Sequence, residues 1–99
     1  MRIQFEDDDL QRLYTDRNFH QPRLGPDVTK QFRKKVQLLA AATDERDLYN
    51  LRGLRLEKLA GPRSGQHSIR LNDQFRLILR FDTDKEGRLV VIVELTDYH

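Results

Sequence analysis

Hydrophobic positions in the second half of the chain recur with a period of two, the spacing of a β-strand with one buried face. Residues 68–71 and 75–81 carry this pattern, whereas residues 89–95 are apolar at almost every position. A segment that is apolar on both faces is typical of a strand covered on both sides of its sheet. Polar residues at 72–73 and 82–87 separate the segments, so the pattern predicts consecutive strands joined by turns.

The first half shows helical spacing instead. Val28, Phe32, Val36 and Leu39 recur at intervals of four, four and three, which predicts an amphipathic helix from residue 26 to about residue 42. A shorter helix is expected over 44–51, and further short elements are expected as a strand over 2–5 and a helix over 9–15. The predicted class is α+β: a small, antiparallel-rich sheet with two helices of the N-terminal half, 26–42 and 44–51, packed on one face.

Length and composition narrow the class of protein. A chain of 99 residues is expected to form one domain, over residues 1–99. The absence of cysteine excludes disulfides and thiolate metal sites. The acidic N-terminal segment lacks the apolar run of a signal peptide, and no apolar run approaches the ~20 residues of a membrane span. We therefore expect a cytoplasmic protein without a membrane partner.

Positive charge is concentrated in one segment. Residues 51–80 contain seven Arg or Lys against two Asp or Glu, a net charge of +5 in a chain whose total is +2. Six of the seven are arginines, which form forked contacts with phosphate or carboxylate. The alternation places Arg70, Arg76 and Arg80 on one face of the predicted sheet. This face is either a solvated surface or an anion-binding site.

Three chemically capable side chains follow the last predicted strand: Asp97, Tyr98 and His99. Cleavage of RNA without a metal requires a base, an acid and cations around the phosphate. His99 titrates near neutrality and suits proton transfer, Arg76 suits phosphate binding, and Tyr98 suits stacking on a base. The alternatives are structural: Arg76 pairing across the sheet with Glu94 or Asp97, and Tyr98 packing at the strand edge.

Two motifs resemble the HigB branch of the RelE/ParE toxin superfamily. Residues 56–76, LEKLAGPRSGQHSIRLNDQFR, resemble the branch's pattern L-x-G-x-R-x-G-x-W-S-I-R-I-N-x-x-W-R-I. Residues 93–99, VELTDYH, resemble its V-x-D-Y-H ending. The resemblance implies a RelE-like fold and a toxin that cuts mRNA during translation, without metal or cofactor. It also implies a HigA-like helix-turn-helix antitoxin as partner, with operator DNA contacted only through that antitoxin.

The resemblance also implies roles for single residues. Asp97, Tyr98 and His99 become catalytic candidates, and Arg76 becomes the cation that stabilises the transition state. The candidate RNA contacts of the central segment are Lys58, Arg63, His67 and Arg70.

The chain departs from the HigB pattern at three positions. Glu57 stands where some members have a catalytic histidine, and it could serve as the base. His67 and Phe75 stand where tryptophan is usual; Phe75 keeps an aromatic ring for the core, and His67 either replaces a packing ring or adds an imidazole. Two other functions stay open: a ParE-like inhibitor of DNA gyrase, against which the D-Y-H ending argues, and an inactive toxin that acts only as a co-repressor.

Overall fold

The computed structural model describes residues 1–97, which fold into five strands and three α-helices. In chain order these are β1 (Arg2–Phe5), α1 (Asp8–Thr15), α2 (Gly25–Ala41), α3 (Glu45–Tyr49), β2 (Glu57–Lys58), β3 (His67–Arg70), β4 (Phe75–Asp84) and β5 (Gly87–Asp97). Short 3-10 turns over Arg52–Leu54 and Gly61–Arg63 lie on either side of β2. The predicted α+β class is confirmed. Within the described residues, no helix is long and apolar enough to cross a membrane.

The strands form one sheet in the order β1-β5-β4-β3-β2. Strands β2 to β5 pair antiparallel with their neighbours in sequence, as expected for strands joined by turns. Strand β1 pairs parallel with β5, with Arg2 opposite Leu89. The sheet is therefore antiparallel-rich, as predicted, and mixed rather than purely antiparallel.

Local capping explains where the helices begin. Asp7 caps α1 by accepting a hydrogen bond from the backbone N–H of Leu10 at 3.1 Å, and Pro26 lies in the first turn of α2, where its missing N–H costs nothing. Asp44 caps α3 in the same way as Asp7 caps α1. Helix α3 is shorter than predicted because the chain tightens after residue 49, where the N–H of Leu51 bonds to the carbonyl of Leu48 at 3.0 Å.

All three helices contribute to the core on one face of the sheet. Phe32 and Val36 of α2 are fully buried, and Leu13 brings α1 into the same cluster, so this face carries one helix more than the predicted pair. The facing strand residues include Leu77 and Ile92. Burying side chains of this size supplies most of the stability of such a domain.

The other face of the sheet, here called the open face, carries Arg76, Ile78 and Arg80 of β4. A β-bulge decides which residues of β5 join them: Ile78 pairs with Glu94, whereas Leu79 pairs with Ile92, so β5 holds one extra residue at this point. Simple alternation from Ile92 would turn Glu94 toward the helices. The bulge instead places Glu94 beside Ile78 on the open face.

Candidate functional site

A groove of about 630 Å³ lies on the open face near the end of β5. The residues that line it include Leu59, Pro62, Arg63, Ile78, Thr96 and Asp97. The connection between β2 and β3 forms one wall, and β4 and β5 form the floor. A groove of this size accommodates a nucleotide-sized ligand.

Arg63 supplies a cation to this groove. It ends the 3-10 turn Gly61–Arg63, which begins with a glycine at φ +64°, a left-handed conformation that favours glycine. The guanidinium forms an ion pair with Glu94 and donates a hydrogen bond to Oε1 of Gln66 at 2.9 Å. Both charged side chains remain about two-fifths exposed, 41% for Arg63 and 42% for Glu94. The Arg63 fork is therefore oriented by its neighbours but still accessible to a ligand.

Arg76 lies next along the open face, opposite Thr96 of β5 and Arg70 of β3. Its Nη1 donates to the carbonyl of Asn72 at 2.7 Å and to that of Phe75 at 3.2 Å. The turn that provides these carbonyls is itself fixed, because Oδ1 of Asn72 accepts from the N–H of Phe75 at 2.7 Å. Arg76 is thus held by a rigid turn.

Arg70 and Arg76 are directly paired across β3 and β4, so both residues lie on the open face, next to the turn that joins these two strands. Arg70 forms an ion pair with Asp73, whose side chain is 93% exposed. Arg80 shares the open face, as the alternation predicted, but two carboxylates, Glu6 and Asp82, pair with it and raise its pKa. Arg80 is therefore already neutralised by two carboxylates.

Asp97 closes the β4–β5 ladder opposite the core residue Phe75, so it alternates toward the helix side of the sheet, although it still borders the groove at the end of β5. Its Oδ2 accepts a hydrogen bond from Nε2 of Gln74 at 2.9 Å. Tyr98 and His99, predicted as catalytic, lie outside the described residues. The structure therefore describes Arg76 and Asp97 near the end of β5, the strand that precedes Tyr98 and His99 in the sequence.

The pairing of β2 with β3 separates the remaining candidates. Glu57 lies opposite Ser68, and Lys58 lies opposite His67. Directly paired residues share a face, and Ser68 pairs with Ile78 of the open face. Glu57 is therefore on the groove side of the sheet, whereas Lys58 and His67 are on the helix side.

His67 is a partly buried ring on the helix side of the sheet. It packs edge-to-face against Phe81, with ring centroids 5.0 Å apart and planes at 74°. Burial, and then the nearby Lys58 ammonium, lower the pKa of His67. Its Nδ1 is buried without a hydrogen-bond partner among the described residues. Of the two interpretations of His67, this environment supports the packing ring, and the structure does not bring it together with Arg63 and Arg76.

Glu94 is the site residue that the sequence did not assign to the groove. The feature of the sequence that could have indicated its role is a carboxylate within the otherwise apolar run 89–95. The sequence suggests Glu94 as a cross-strand partner of Arg76, whereas in the structure the bulge in β5 places it on the open face, where it pairs with Arg63. Within residues 1–97, no three His, Asp or Glu side chains come together in a way that could hold a metal ion.

The fold is shared with several solved structures, one of them described as a YoeB/ParE toxin. The similarity extends along nearly the whole chain. YafQ from E. coli strain BL21(DE3) matches with a TM-score of 0.63 and 16% identity, over 99% of this chain and 94% of that one. A YoeB/ParE toxin from Agrobacterium tumefaciens matches with a TM-score of 0.58 and 14% identity, over the full length of both chains. A third is the YoeB–YefM complex from Staphylococcus aureus, with a TM-score of 0.59, 18% identity and coverage of 100% and 97%.

Sequence comparison identifies the branch. The family described as the RelE-like toxin of the type II toxin–antitoxin system HigB matches residues 3–99. Toxin HigB-1 of Vibrio cholerae serotype O1 (strain ATCC 39315 / El Tor Inaba N16961) is 38% identical over 82 residues, which cover 82% of this chain and 84% of that protein. The chain therefore belongs to the HigB-like family of type II toxins, which confirms the branch indicated by the two motifs.

Proposed function

We propose that this toxin is an endoribonuclease that cuts mRNA on the ribosome without a metal ion and so arrests translation. The observation that carries the proposal is the position of Arg63 and Arg76 on the open face, beside the end of β5. A phosphate lying there would meet two guanidinium forks close to the segment that continues into Tyr98 and His99. Family membership supports the same activity.

The proposed reaction is attack of a ribose 2′-hydroxyl on the adjacent phosphate. The new O–P bond forms a cyclic phosphate, and the bond to the 5′-oxygen of the next nucleotide breaks. Arg76 stabilises the charge that accumulates on the phosphate oxygens, and its anchoring to two backbone carbonyls removes the need to order it during the reaction. His99 exchanges protons with the reacting oxygens, and Asp97 orients His99.

Glu57 is the candidate for the second proton-transfer group, because it lies on the groove side of the sheet. Either Glu57 or His99 removes the 2′-hydroxyl proton, and the other protonates the departing 5′-oxygen. Tyr98 contacts a base by stacking. Arg63 and Arg70 bind the RNA backbone, and Lys58 contributes at the exposed edge of the sheet.

The proposed partners are the ribosome with its mRNA and an antitoxin. The YoeB–YefM complex is a solved example of a similar fold bound to a second protein. For this chain we propose a HigA-like helix-turn-helix antitoxin, which would also connect the toxin to operator DNA. A toxin that acts on translating ribosomes works in the cytoplasm.

Primer extension on cellular mRNA after induction of the toxin tests the proposal. Wild type should produce new RNA ends within codons, and His99→Ala and Arg76→Ala should abolish them. Arg46→Ala is the matched control, because Arg46 lies on α3, on the helix side, with a side chain that is 87% exposed. It should cut like wild type.

The other outcomes separate the alternative functions. Growth arrest without new RNA ends would refute the nuclease and indicate a non-catalytic inhibitor of the gyrase-binding type. Neither arrest nor cleavage, together with antitoxin-dependent repression of the operon, would indicate a co-repressor. RNA ends that persist in a folded His99→Ala protein would remove His99 from the mechanism.

A further inference from the structure

The exposed large apolar side chains of residues 1–97 lie in one region of the surface. They are Leu38, Tyr49 and Leu51, with 36%, 50% and 40% exposure. Leu38 and Leu51 line the same depression of about 590 Å³, between α2 and the segment that follows α3. Tyr49 ends α3, two residues before Leu51. Clustered apolar exposure of this kind marks an interaction surface.

Cations surround this apolar cluster. Lys34, Lys35 and Arg52 line the depression, and no Asp or Glu is among its lining residues. Lys35 donates to the backbone carbonyls of Gly53 and Arg70, which fixes its ammonium at the rim. Lys34 and Arg52 form no ion pair within residues 1–97. The surface defined by these three cations and the three apolar residues is here called the α2–α3 patch.

The composition of the patch identifies the chemistry of its partner. A nucleic-acid backbone would satisfy the cations but would gain nothing from two leucines, whereas a protein segment with apolar and acidic side chains satisfies both groups. The patch also lies on the helix side of the sheet and shares no lining residue with the groove. Its partner is therefore distinct from the RNA in the groove.

We propose that the α2–α3 patch is the docking site of the antitoxin. An antitoxin segment places apolar side chains against Leu38, Tyr49 and Leu51, and its carboxylates face Lys34, Lys35 and Arg52. This inference rests on the proposed antitoxin partner and adds to it the surface and the chemistry of the contact. A similar arrangement of apolar anchors within a charged rim is common in protein interfaces.

The test is calorimetric titration of the toxin with a HigA-like antitoxin, the partner proposed above. The apolar variant is Leu38→Ser with Leu51→Ser, and the charge variant is Lys34→Glu with Arg52→Glu. The matched control is Arg17→Glu with Lys85→Glu, two exposed cations outside the patch. Circular dichroism establishes that each variant folds. Because all substituted positions are exposed, we expect folding to be retained, and Leu38→Gln with Leu51→Gln provides a milder second variant.

We expect the apolar variant to weaken binding by roughly 30-fold, the loss typical of an interface anchor. The charge variant should weaken binding most at low salt, with the difference shrinking as salt rises, and the control should bind like wild type. Wild-type affinity in both patch variants would overturn the proposal. So would unchanged antitoxin binding combined with lost ribosome binding, which would make the patch a nucleic-acid surface.

Two further readouts separate this inference from the proposed nuclease. Cleavage of mRNA by the patch variants, without antitoxin, should equal that of wild type. If wild type makes no cuts but the patch variants still lose antitoxin affinity, the nuclease fails and the docking site stands. If Arg63→Ala weakens antitoxin binding and the patch variants do not, the antitoxin occupies the groove and the docking proposal is wrong.

Discussion

Removing one or the other partner of the Arg63–Glu94 ion pair should change RNA binding in opposite directions. Arg63→Ala deletes a cation that borders the groove, whereas Glu94→Gln deletes the carboxylate that competes with phosphate for that cation. The glutamine keeps the size of the side chain and an oxygen that can accept a hydrogen bond. We therefore expect weaker binding from the first variant and equal or tighter binding from the second.

The structure sets the magnitudes. Because both side chains are about two-fifths exposed, their pairing should contribute only about 0.2–1 kcal/mol to folding. This corresponds to at most about 4–8 °C in Tm for a chain of this size. A charge-assisted hydrogen bond to phosphate contributes about 1.5–3 kcal/mol, so Arg63→Ala should weaken binding roughly 10- to 100-fold.

Binding is measured with ribosomes programmed with an mRNA whose test codon carries 2′-O-methyl groups, because this RNA cannot undergo the 2′-hydroxyl attack. A salt series adds a second readout: for Arg63→Ala, the slope of log K against log salt should become shallower by about 0.7, the value for one phosphate contact on a single strand. Equal losses of affinity in both variants, accompanied by equal losses of Tm, would refute the reasoning and make the pair purely structural.

Three further predictions concern stability, each measured by urea unfolding. Burial lowers the pKa of His67, so the unfolded chain binds a proton more readily than the folded chain. The free energy of unfolding should therefore fall as pH drops through about 6.5 and level off once the folded ring is also protonated. His67→Phe should flatten this profile. Phe32→Ala, at a fully buried position, should cost about 3–5 kcal/mol, whereas Leu38→Ala, at a position 36% exposed, should cost far less. Gly87→Ala should cost on the order of 1–3 kcal/mol because φ is +111° there; Gly53→Ala, without a positive φ, should be nearly neutral. Similar losses within either matched pair, or a pH profile unchanged by His67→Phe, would contradict the corresponding prediction.

Much of the fold could be predicted because it depends on local periodicity. The long helix and the strands of the second half were placed within a few residues of their observed bounds. The parallel pairing of β1 with β5 could not be predicted, since four residues that form a strand do not indicate which distant strand they join. The end of the helix predicted over 44–51 was also wrong, because the chain tightens into 3-10 geometry after residue 49.

The sequence indicates which residue types the candidate site contains, but not where the fold places each of them. Arg63 and Asp97 do border one groove, and Arg76 lies on the same face. The grouping of His67 with them depended on side-chain direction, which the pairing register of β2 and β3 fixes. Glu94 was not assigned to the groove because a bulge shifts the alternation by one residue, and the apolar run of β5 carries no signal for that bulge.

The parallel pairing of β1 with β5 has a consequence for the order of folding. Arg2 and Leu89 are neighbours in the sheet but 87 residues apart in the chain, whereas Thr83 and Arg88 of the β4–β5 hairpin are 5 apart. The longer closure costs about 2.5 kcal/mol more in chain entropy, since each doubling of loop length adds about 0.6 kcal/mol. We therefore expect the hairpins that carry Arg63 and Arg76 to form before β1 joins the sheet. During synthesis β1 leaves the ribosome before β5, its partner in the sheet. The five-stranded sheet therefore cannot form until the ribosome has synthesised β5.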